Sequence, residues 1–127
     1  GITNILPIII SVLSLPKDSL LLIENPEGHL HPKGQLELGK LLSMAAASDT
    51  QIILETHSDH IINGIRLSAK ENLINSNDVK IYFFERKLDN GKMSHNVVDI
   101  KMDKNGRLNY WPDGFFDTWD KALEELL

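Results

Sequence analysis

Cysteine is absent from this chain of 127 residues, and no long uninterrupted apolar segment is present. Without cysteine there is no disulfide framework, no thiol nucleophile and no thiolate metal site. The longest apolar run, residues 6–12, is interrupted by Pro7 and Ser11 and is far shorter than the about 20 residues that cross a bilayer. No basic segment precedes it, so a signal peptide is not expected. The sequence therefore predicts a cytoplasmic protein with no membrane partner.

Basic residues are also too few for a nucleic-acid-binding surface. The chain has 13 lysines and arginines against 18 acidic residues, a net charge of −5. This balance argues against a large phosphate-contacting surface on this chain. A hydrophobic content of 42% is ordinary for a folded protein, and 127 residues fit one domain. Because the chain opens at Gly1 and not at methionine, we expect a fragment of a longer protein.

One stretch joins an apolar run directly to charged and amide groups. Residues 20–23 are all leucine or isoleucine, and Glu24, Asn25, Pro26 and Glu27 follow at once. A short apolar run bounded by turn residues predicts a strand that is buried on both faces. In open parallel sheets, ligands bind outside the carboxyl ends of such strands. We therefore place the candidate site at this strand end.

The apolar segment over residues 2–15 is predicted to be a helix and not a strand. Pro7 favours the helix, because proline is tolerated in a first helical turn and excluded from central strands. Thr3 or Asn4 is expected to cap this helix, and Pro16 is expected to end it.

The segment after the first strand reads as helix, strand, helix. Pro32 suits the first position of a helix. Apolar residues then recur at helical spacing, at Leu38, Leu41, Leu42 and Ala45. A second apolar strand follows at residues 51–56, and strand, helix and strand with short links predict a parallel crossover. Ser58 or Asp59 is expected to cap the next helix.

The last third of the chain has weaker signals. The predicted elements are strands over residues 79–85 and 96–102, a turn at 89–91, an aromatic loop over 111–117 and a helix over 119–127. The aromatic loop is expected to close over a core, with an exposed docking patch as the alternative.

Two predicted strands end in polar groups, and parallel neighbours would bring these ends to one edge of a sheet. The groups are Glu24, Asn25 and Glu27 after the first strand, and Thr56, His57 and Ser58 after the second. A carboxylate such as Glu24 can hold Mg²⁺ through water beside nucleotide phosphates, and a second carboxylate can orient or deprotonate water. His57 can donate a hydrogen bond to a terminal phosphate. The alternatives are a solvated strand-end charge for Glu24 and a structural histidine for His57.

Four segments carry a family resemblance. LLLIENPEGHLHP resembles the Walker-B segment of ABC-type ATPases of the structural-maintenance-of-chromosomes, RecF and overcoming-lysogenization-defect group, and ETHSDHI resembles their switch-histidine segment. GITNILPII resembles the signature-helix region of one branch. WPDGFFD resembles the C-terminal motif of an uncharacterised, DUF3696-like branch of AAA-family predicted ATPases. The motifs occur in the family's order over nearly the whole chain.

The resemblance implies a role for each matching residue. Glu24 matches the carboxylate on the magnesium side, and His57 matches the switch histidine. Asn25 stands where a catalytic glutamate is usual. An amide cannot act as a general base, and Glu27 is the nearest substitute, although the family more often gives that position a structural role. The signature residues, which would face a nucleotide, are Gly1, Thr3 and Asn4.

The sequence departs from the family in lacking any G-x-x-x-x-G-K-[ST] phosphate loop. The resemblance therefore implies the C-terminal lobe of a P-loop ATPase domain, an α/β lobe with a mainly parallel sheet flanked by helices and without the Walker-A strand. We expect a single domain over residues 1–127. Its parts are a signature-like helix at 1–16, a Walker-B to switch-histidine core at 20–85 and a C-terminal extension at 86–127.

The same resemblance implies cofactors and partners. ATP and Mg²⁺ would bind only together with an N-terminal Walker-A lobe of the same protein, so this chain alone is expected to be inactive or weak. A homodimer that sandwiches ATP is implied, with a role in DNA maintenance or defence and an indirect association with DNA.

Two other functions remain open from the sequence. His29 with His31 and His57 with His60 have spacings found in zinc or manganese sites, so a metal-dependent hydrolase is one alternative. An interaction module that hydrolyses nothing is the other, favoured by Asn25 and by the missing phosphate loop.

Overall fold

The computed structural model describes residues 2–89, 91–112, 114–116 and 124. Its elements in chain order are α1 (Ile2–Ser14), β1 (Leu20–Glu24), α2 (Pro32–Ala46), β2 (Gln51–Glu55), α3 (Asp59–Lys70), a 3₁₀ helix (Ser76–Asp78), β3 (Ile81–Asp89) and β4 (Lys92–Ile100). The predicted α/β class is confirmed by this mixture of helices with a small parallel sheet. The predicted terminal helix over residues 119–127 lies, apart from residue 124, outside the described residues.

Helix α1 begins earlier than the sequence predicts. Thr3 and Asn4 lie inside its first turn, so the prediction that either one caps the helix is wrong. Pro7 then falls in the second turn, where the helix tolerates the missing N–H at the cost of one i→i−4 hydrogen bond, the one to the Thr3 carbonyl. The helix ends at Ser14, before Pro16, as predicted.

Strands β1 and β2 form a parallel pair, as predicted, and the three helices cover one of its faces. Ile23 from β1 packs with Leu38 and Leu42 of α2 and Ile61 of α3 in a buried cluster. Side chains of α1 pack against the same cluster. Burial of these apolar side chains drives the assembly, at roughly 1.5–3 kcal/mol for each fully buried one.

The opposite face of the parallel pair is bare. Leu20, Leu22 and Ile53 are more than half exposed, because successive strand residues point to opposite faces and no described part of the chain covers theirs. The prediction of a strand buried on both faces is therefore wrong for this chain. The apolar run nevertheless has the composition of a doubly buried strand.

Helices α2 and α3 approach each other through glycine. A Cβ atom on Gly39 would overlap the Ile61 carbonyl oxygen, and one on Gly64 would overlap the Leu36 carbonyl oxygen. Two hydroxyls beside this contact, those of Ser43 and Ser68, donate to carbonyls four residues back in their own helices. Backbone contact of this kind fixes the axial position of α3 against α2.

Strands β3 and β4 form an antiparallel hairpin and not part of the parallel sheet, so the expected mainly parallel sheet is reduced to the β1–β2 pair among the described residues. Both strands run closer to the turn than predicted, to Asp89 and from Lys92. One hairpin face packs on Phe115, as expected for an aromatic loop that closes over a core. The other face is exposed and carries Arg86, His95 and Asp99 beside its large apolar side chains, which are Tyr82, Phe84, Leu88, Met93 and Val97.

A tight turn after β4 is built around Asp103. Its carboxylate accepts the backbone N–H groups of Arg107 and Asn105 at 2.9 and 2.8 Å. The hydrogen bond from Arg107 lowers the pKa of Asp103 below its ordinary value. The turn is therefore most stable with the carboxylate ionised, and this contribution is lost as the pH falls through the lowered pKa.

Among the described residues, no helix is long and apolar enough to cross a membrane.

Candidate functional site

The register of the parallel pair brings the two predicted strand ends together. Glu24 at the end of β1 lies opposite Glu55 at the end of β2, and the Asn25 N–H donates to the Glu55 carbonyl at 3.0 Å. Both polar segments therefore leave the sheet at the same edge, as the sequence predicts. This is the edge where parallel sheets bind ligands.

Asn25 turns the chain away from the sheet. Its φ of 45° lies in the left-handed region, which asparagine tolerates better than most residues because its short amide forms local hydrogen bonds. Its carbonyl accepts the Gly28 N–H at 3.4 Å, and the Leu30 N–H donates to the Glu27 carbonyl at 3.0 Å. The segment is a compact turn that leaves the Asn25 side chain exposed.

Glu27 joins the turn after β1 to the segment after β2. One of its carboxylate oxygens accepts the Thr56 hydroxyl, and the other accepts the His57 backbone N–H, both at 2.7 Å. Hydrogen bonds to an ionised group are shorter and about twice as strong as neutral ones. Glu27 is half-buried and each of its carboxylate oxygens accepts a hydrogen bond, so it links the two strand ends. A catalytic role for Glu27 stays a prediction.

A second set of hydrogen bonds extends this link to the helices. The Thr56 hydroxyl accepts the Ser58 N–H at 3.1 Å, and the Ser58 hydroxyl accepts the Ile61 N–H at 3.1 Å, which caps α3 as predicted. The Ser58 hydroxyl also donates to the Gln35 side-chain oxygen at 2.6 Å, and the Gln35 amide donates to the Leu30 carbonyl at 2.8 Å. The first turn of α2, the start of α3 and both strand ends are thus one connected network.

The side chains of Glu24 and His57 take no part in this network and are exposed to solvent. Among the described residues the Glu24 carboxylate has no hydrogen-bond or ion-pair partner, and the His57 side chain is 82% exposed. The His57 Nε2 atom lies 4.0 Å from a Glu55 carboxylate oxygen. Mg²⁺ is bound in nucleotide sites through one or two carboxylates together with waters and substrate phosphates. An unengaged carboxylate at the strand end fits that requirement.

The histidine pattern does not produce a metal site. No cluster of three or more histidine or acidic side chains that could hold a metal occurs within residues 2–89, 91–112, 114–116 and 124. The His31 Nδ1 accepts the Lys33 N–H at 3.3 Å and so caps α2, and the His60 Nε2 lies 3.6 Å from an Asp59 oxygen. His29 is exposed in the turn before α2. The metal-dependent hydrolase predicted as an alternative therefore has no support in the described residues.

The signature residues are only partly described. Thr3 is exposed in the first turn of α1, Asn4 lies in the same turn, and Gly1 falls outside the described residues. Their assignment to nucleotide binding stays a prediction, as do the roles of Glu24, Asn25 and His57.

Sequence reasoning missed two residues at this edge. Glu55 ends β2 as Glu24 ends β1. Glu55 could have been predicted from the sequence, because it follows an apolar run just as Glu24 does. Gln35 has no such signal, because one polar residue in the first turns of a helix is ordinary. Only the folded chain brings it to Ser58.

Replacing Glu27 by glutamine should lower the free energy of unfolding by about 1.5–3 kcal/mol, the typical contribution of a hydrogen bond to a charged group. One acceptor oxygen remains, while the new NH₂ group faces a donor, either the His57 N–H or the Thr56 hydroxyl. Urea titration measures the loss. Glu24→Gln is the matched control, since that carboxylate has no partner among the described residues, and it should stay within about 0.5 kcal/mol of wild type. Equal losses in both variants would contradict the link.

Two family models match the chain. The model described as AAA ATPase domain matches residues 1–62, which include α1 and both strand ends. The model described as Protein of unknown function (DUF3696) matches residues 74–126, which include the β3–β4 hairpin. No curated protein and no solved structure matches the chain. The first match covers the residues that form the site, and the second covers the segment with the WPDGFFD motif.

Proposed function

We propose, from the premise that this chain is a AAA-family ATPase-like protein with a DUF3696 region, that it supplies half of an ATP-hydrolysing site of the ABC type. An ATPase-type function in general follows from the family. The finer proposal is supported by one observation above all. The β1–β2 register sets Glu24, Asn25, Glu55 and the His57 segment along a single sheet edge.

Each residue at this edge has a proposed task. Bound Mg²⁺ would supply charge neutralisation at the ATP phosphates, and Glu24 would hold it through water. His57, on the neighbouring strand end, would donate a hydrogen bond to the terminal phosphate. Glu27 would position both by tying their backbones together. This division is supported by the contacts, because both oxygens of Glu27 accept hydrogen bonds while the side chains of Glu24 and His57 are exposed.

Asn25 bears on the speed of the reaction. The Asn25 side chain ends in an amide, which cannot accept the proton of an attacking water. Both carboxylate oxygens of Glu27 already accept hydrogen bonds from the protein. Glu55 ends β2 at this edge and is exposed, so it is the candidate to orient the attacking water. If Glu55 does not serve, slow turnover or binding without hydrolysis follows. The exposed amide at Asn25 thus favours, as a second candidate, a nucleotide-binding interaction module.

The bare apolar faces support a second lobe. Leu22 is 68% exposed on the parallel pair and Phe84 is 76% exposed on the hairpin. Within the described part of the chain, β1 pairs only with β2 and β3 only with β4, which leaves the outer edge of each of the four strands open. Open edges and exposed apolar faces are aggregation-prone unless covered. We propose that a phosphate-loop lobe of the same protein adds the missing strand and covers both faces.

The start of α1 supports the proposed dimer. A helix N-terminus presents free N–H groups and a positive dipole end, which favour phosphate. Thr3 is exposed there, with Asn4 in the same turn. In the proposed homodimer, Gly1, Thr3 and Asn4 would face the nucleotide held by the partner copy.

Thiol labelling of the intact protein tests the lobe, because this chain has no cysteine of its own. Leu22→Cys and Phe84→Cys should react at least about tenfold more slowly than Lys17→Cys, since a covered side chain must await local opening. Lys17, in the turn before β1, is the control because its side chain is 82% exposed and it belongs to neither strand pair. Peptide mapping by mass spectrometry gives the rates.

Equal rates at all three positions would contradict a covering lobe.

Release of phosphate from ATP by the intact protein tests the reaction itself. Tight ATP binding without release would favour the non-hydrolysing module, and absence of binding would contradict both candidates.

A further inference from the structure

Helix α3 connects the candidate site to the C-terminal region. Its N-terminal end is capped by Ser58, next to His57. Along the helix, Arg66 reaches into the loop after β4, where its Nε donates to the Gly106 carbonyl at 2.7 Å. Its Nη1 donates to the Asn63 side chain, also at 2.7 Å, and its guanidinium lies 5.2 Å from the centre of the Trp111 ring. One side chain therefore holds three groups, two of them in the DUF3696 region.

The loop is pressed against α3 at the same point. Gly106 has a φ of 72°, and a Cβ atom there would overlap the Arg66 carbonyl oxygen. The Trp111 ring contacts the Phe115 ring in a tilted arrangement, at 5.2 Å between ring centres, and Phe115 meets Phe83 of β3 edge-on at 5.3 Å. The Arg66 contact is thus backed by an aromatic chain that ends in the hairpin. A displacement of these aromatic rings would therefore displace Arg66 and with it α3.

The other end of α3 meets the residues that surround His57. Ser58 binds Gln35 of α2 and accepts from Ile61, and Thr56 beside it is held by Glu27. Ser58 and Arg66 are eight residues apart, about 12 Å along a helix that rises 1.5 Å per residue. A short helix moves as a rigid rod, so a tilt at one end displaces the other.

We propose that Arg66 is a positioning residue that fixes the segment Thr56–Ser58 by holding α3 to the C-terminal loop. This inference rests on the proposed function, since the segment carries His57. The DUF3696 region would then set how well His57 reaches the nucleotide. Lysine cannot replace arginine here, because a single ammonium group cannot donate to two acceptors in one plane while stacking on a ring.

The test uses the intact protein with Arg66→Lys. A second variant, Trp111→Leu, removes the ring beside the guanidinium together with its contact with Phe115 and leaves both Arg66 hydrogen bonds in place. Arg107→Lys is the matched control, the same substitution at an exposed position in the same loop. Thermal melts confirm that each variant is folded. Hydrogen exchange of residues 56–61 is measured without nucleotide, and kcat and KM for ATP are measured separately.

Arg66→Lys should speed exchange of residues 56–61 by about tenfold, because a lost charged hydrogen bond eases local opening. It should lower kcat by about tenfold with KM for ATP changed less than twofold, as expected when a group is misplaced after the substrate has bound. Trp111→Leu should act in the same direction and more weakly, and Arg107→Lys should change neither quantity.

Unchanged exchange in Arg66→Lys overturns the inference whatever the ATPase result. Faster exchange with an unchanged kcat also overturns it, because the segment would then move without consequence for the reaction. A wild-type protein that does not hydrolyse ATP contradicts the proposed function instead, and the exchange data still decide whether Arg66 holds the segment.

Discussion

Gly39→Ala should destabilise the protein by about 2–3 kcal/mol, the cost of forcing an extra carbon into a well-packed core. The added methyl would overlap the Ile61 carbonyl oxygen and lie 3.2 Å from the Gly64 Cα atom. Neither is the far end of a flexible side chain, so α2 and α3 must separate as whole helices. A fall of roughly 10 °C in melting temperature is expected for a domain of this size.

Gly34→Ala is the matched control in the same helix. The nearest atoms to a Cβ at Gly34 are in the Leu30 side chain at 4.0 Å, an ordinary contact. Alanine is the better helix former, so this variant should be neutral or more stable by up to about 1 kcal/mol. Calorimetric melts of both variants give the comparison, and a neutral Gly39→Ala would show that the helices do not meet at this point.

The double variant Gly39→Ala/Gly64→Ala sharpens the result. The two glycines face each other, with a Cβ on Gly64 lying 3.1 Å from the Gly39 Cα atom. Once the helices have separated to admit one methyl, the second needs little more room. The loss in the double variant should therefore be clearly smaller than the sum of the single losses.

This helix contact could not be read from the sequence. Glycine in a helix is only a weak negative signal, and its use as a contact surface depends on what lies opposite. Local signals did predict α2 and the cap of α3, because Pro32 and Ser58 act within one turn of their own positions. The parallel pairing of β1 with β2 could also be predicted, because two apolar strands joined through a helix by short links form a parallel crossover.

Burial was harder to predict than secondary structure. Leu20 and Leu22 have the composition of a strand covered on both faces, yet one face is bare in this chain. If the proposed lobe covers it, the sequence records burial in the whole protein. The two hairpin strands extend closer to the turn than predicted for a different reason. Residues near the turn, such as Arg86 and Lys87, are exposed, so no core requires apolar and polar residues to alternate there.

The candidate site divides in the same way. Its position at the strand ends followed from the sequence, because parallel strands bring their ends to one edge. The division of labour did not, since Glu24 and Glu27 are the same residue type three positions apart. Only the contacts of Glu27 with Thr56 and His57 distinguish a carboxylate that holds the structure from one that faces solvent.

Glu24→Gln should lower ATP turnover by the intact protein by about 10²–10³-fold, the usual loss when a preorganised electrostatic contact to the reacting groups is removed. The substitution keeps the size and shape of the side chain and removes one negative charge. Since Glu24 has no partner among the described residues, the fold should be unaffected, and the effect is confined to metal and nucleotide. The Mg²⁺ concentration needed for half-maximal rate should rise as well.

His57→Ala tests the other half of the edge. Its side chain is 82% exposed, so removing it should leave the melting temperature unchanged while turnover falls by about 10–10²-fold through loss of a hydrogen bond to phosphate. Glu37→Gln, an exposed glutamate on α2, is the matched control for Glu24→Gln and should keep wild-type turnover.

The two variants together decide the site assignment. Because Glu24 should act through Mg²⁺ and His57 directly on phosphate, excess Mg²⁺ should restore part of the rate to Glu24→Gln and none to His57→Ala. Wild-type turnover in both variants would remove the assignment of this edge. If turnover fell in His57→Ala but not in Glu24→Gln, the assignment of His57 to the phosphate would stand. Another carboxylate would then hold Mg²⁺. Glu55, opposite Glu24 in the register, would be the first to replace by glutamine.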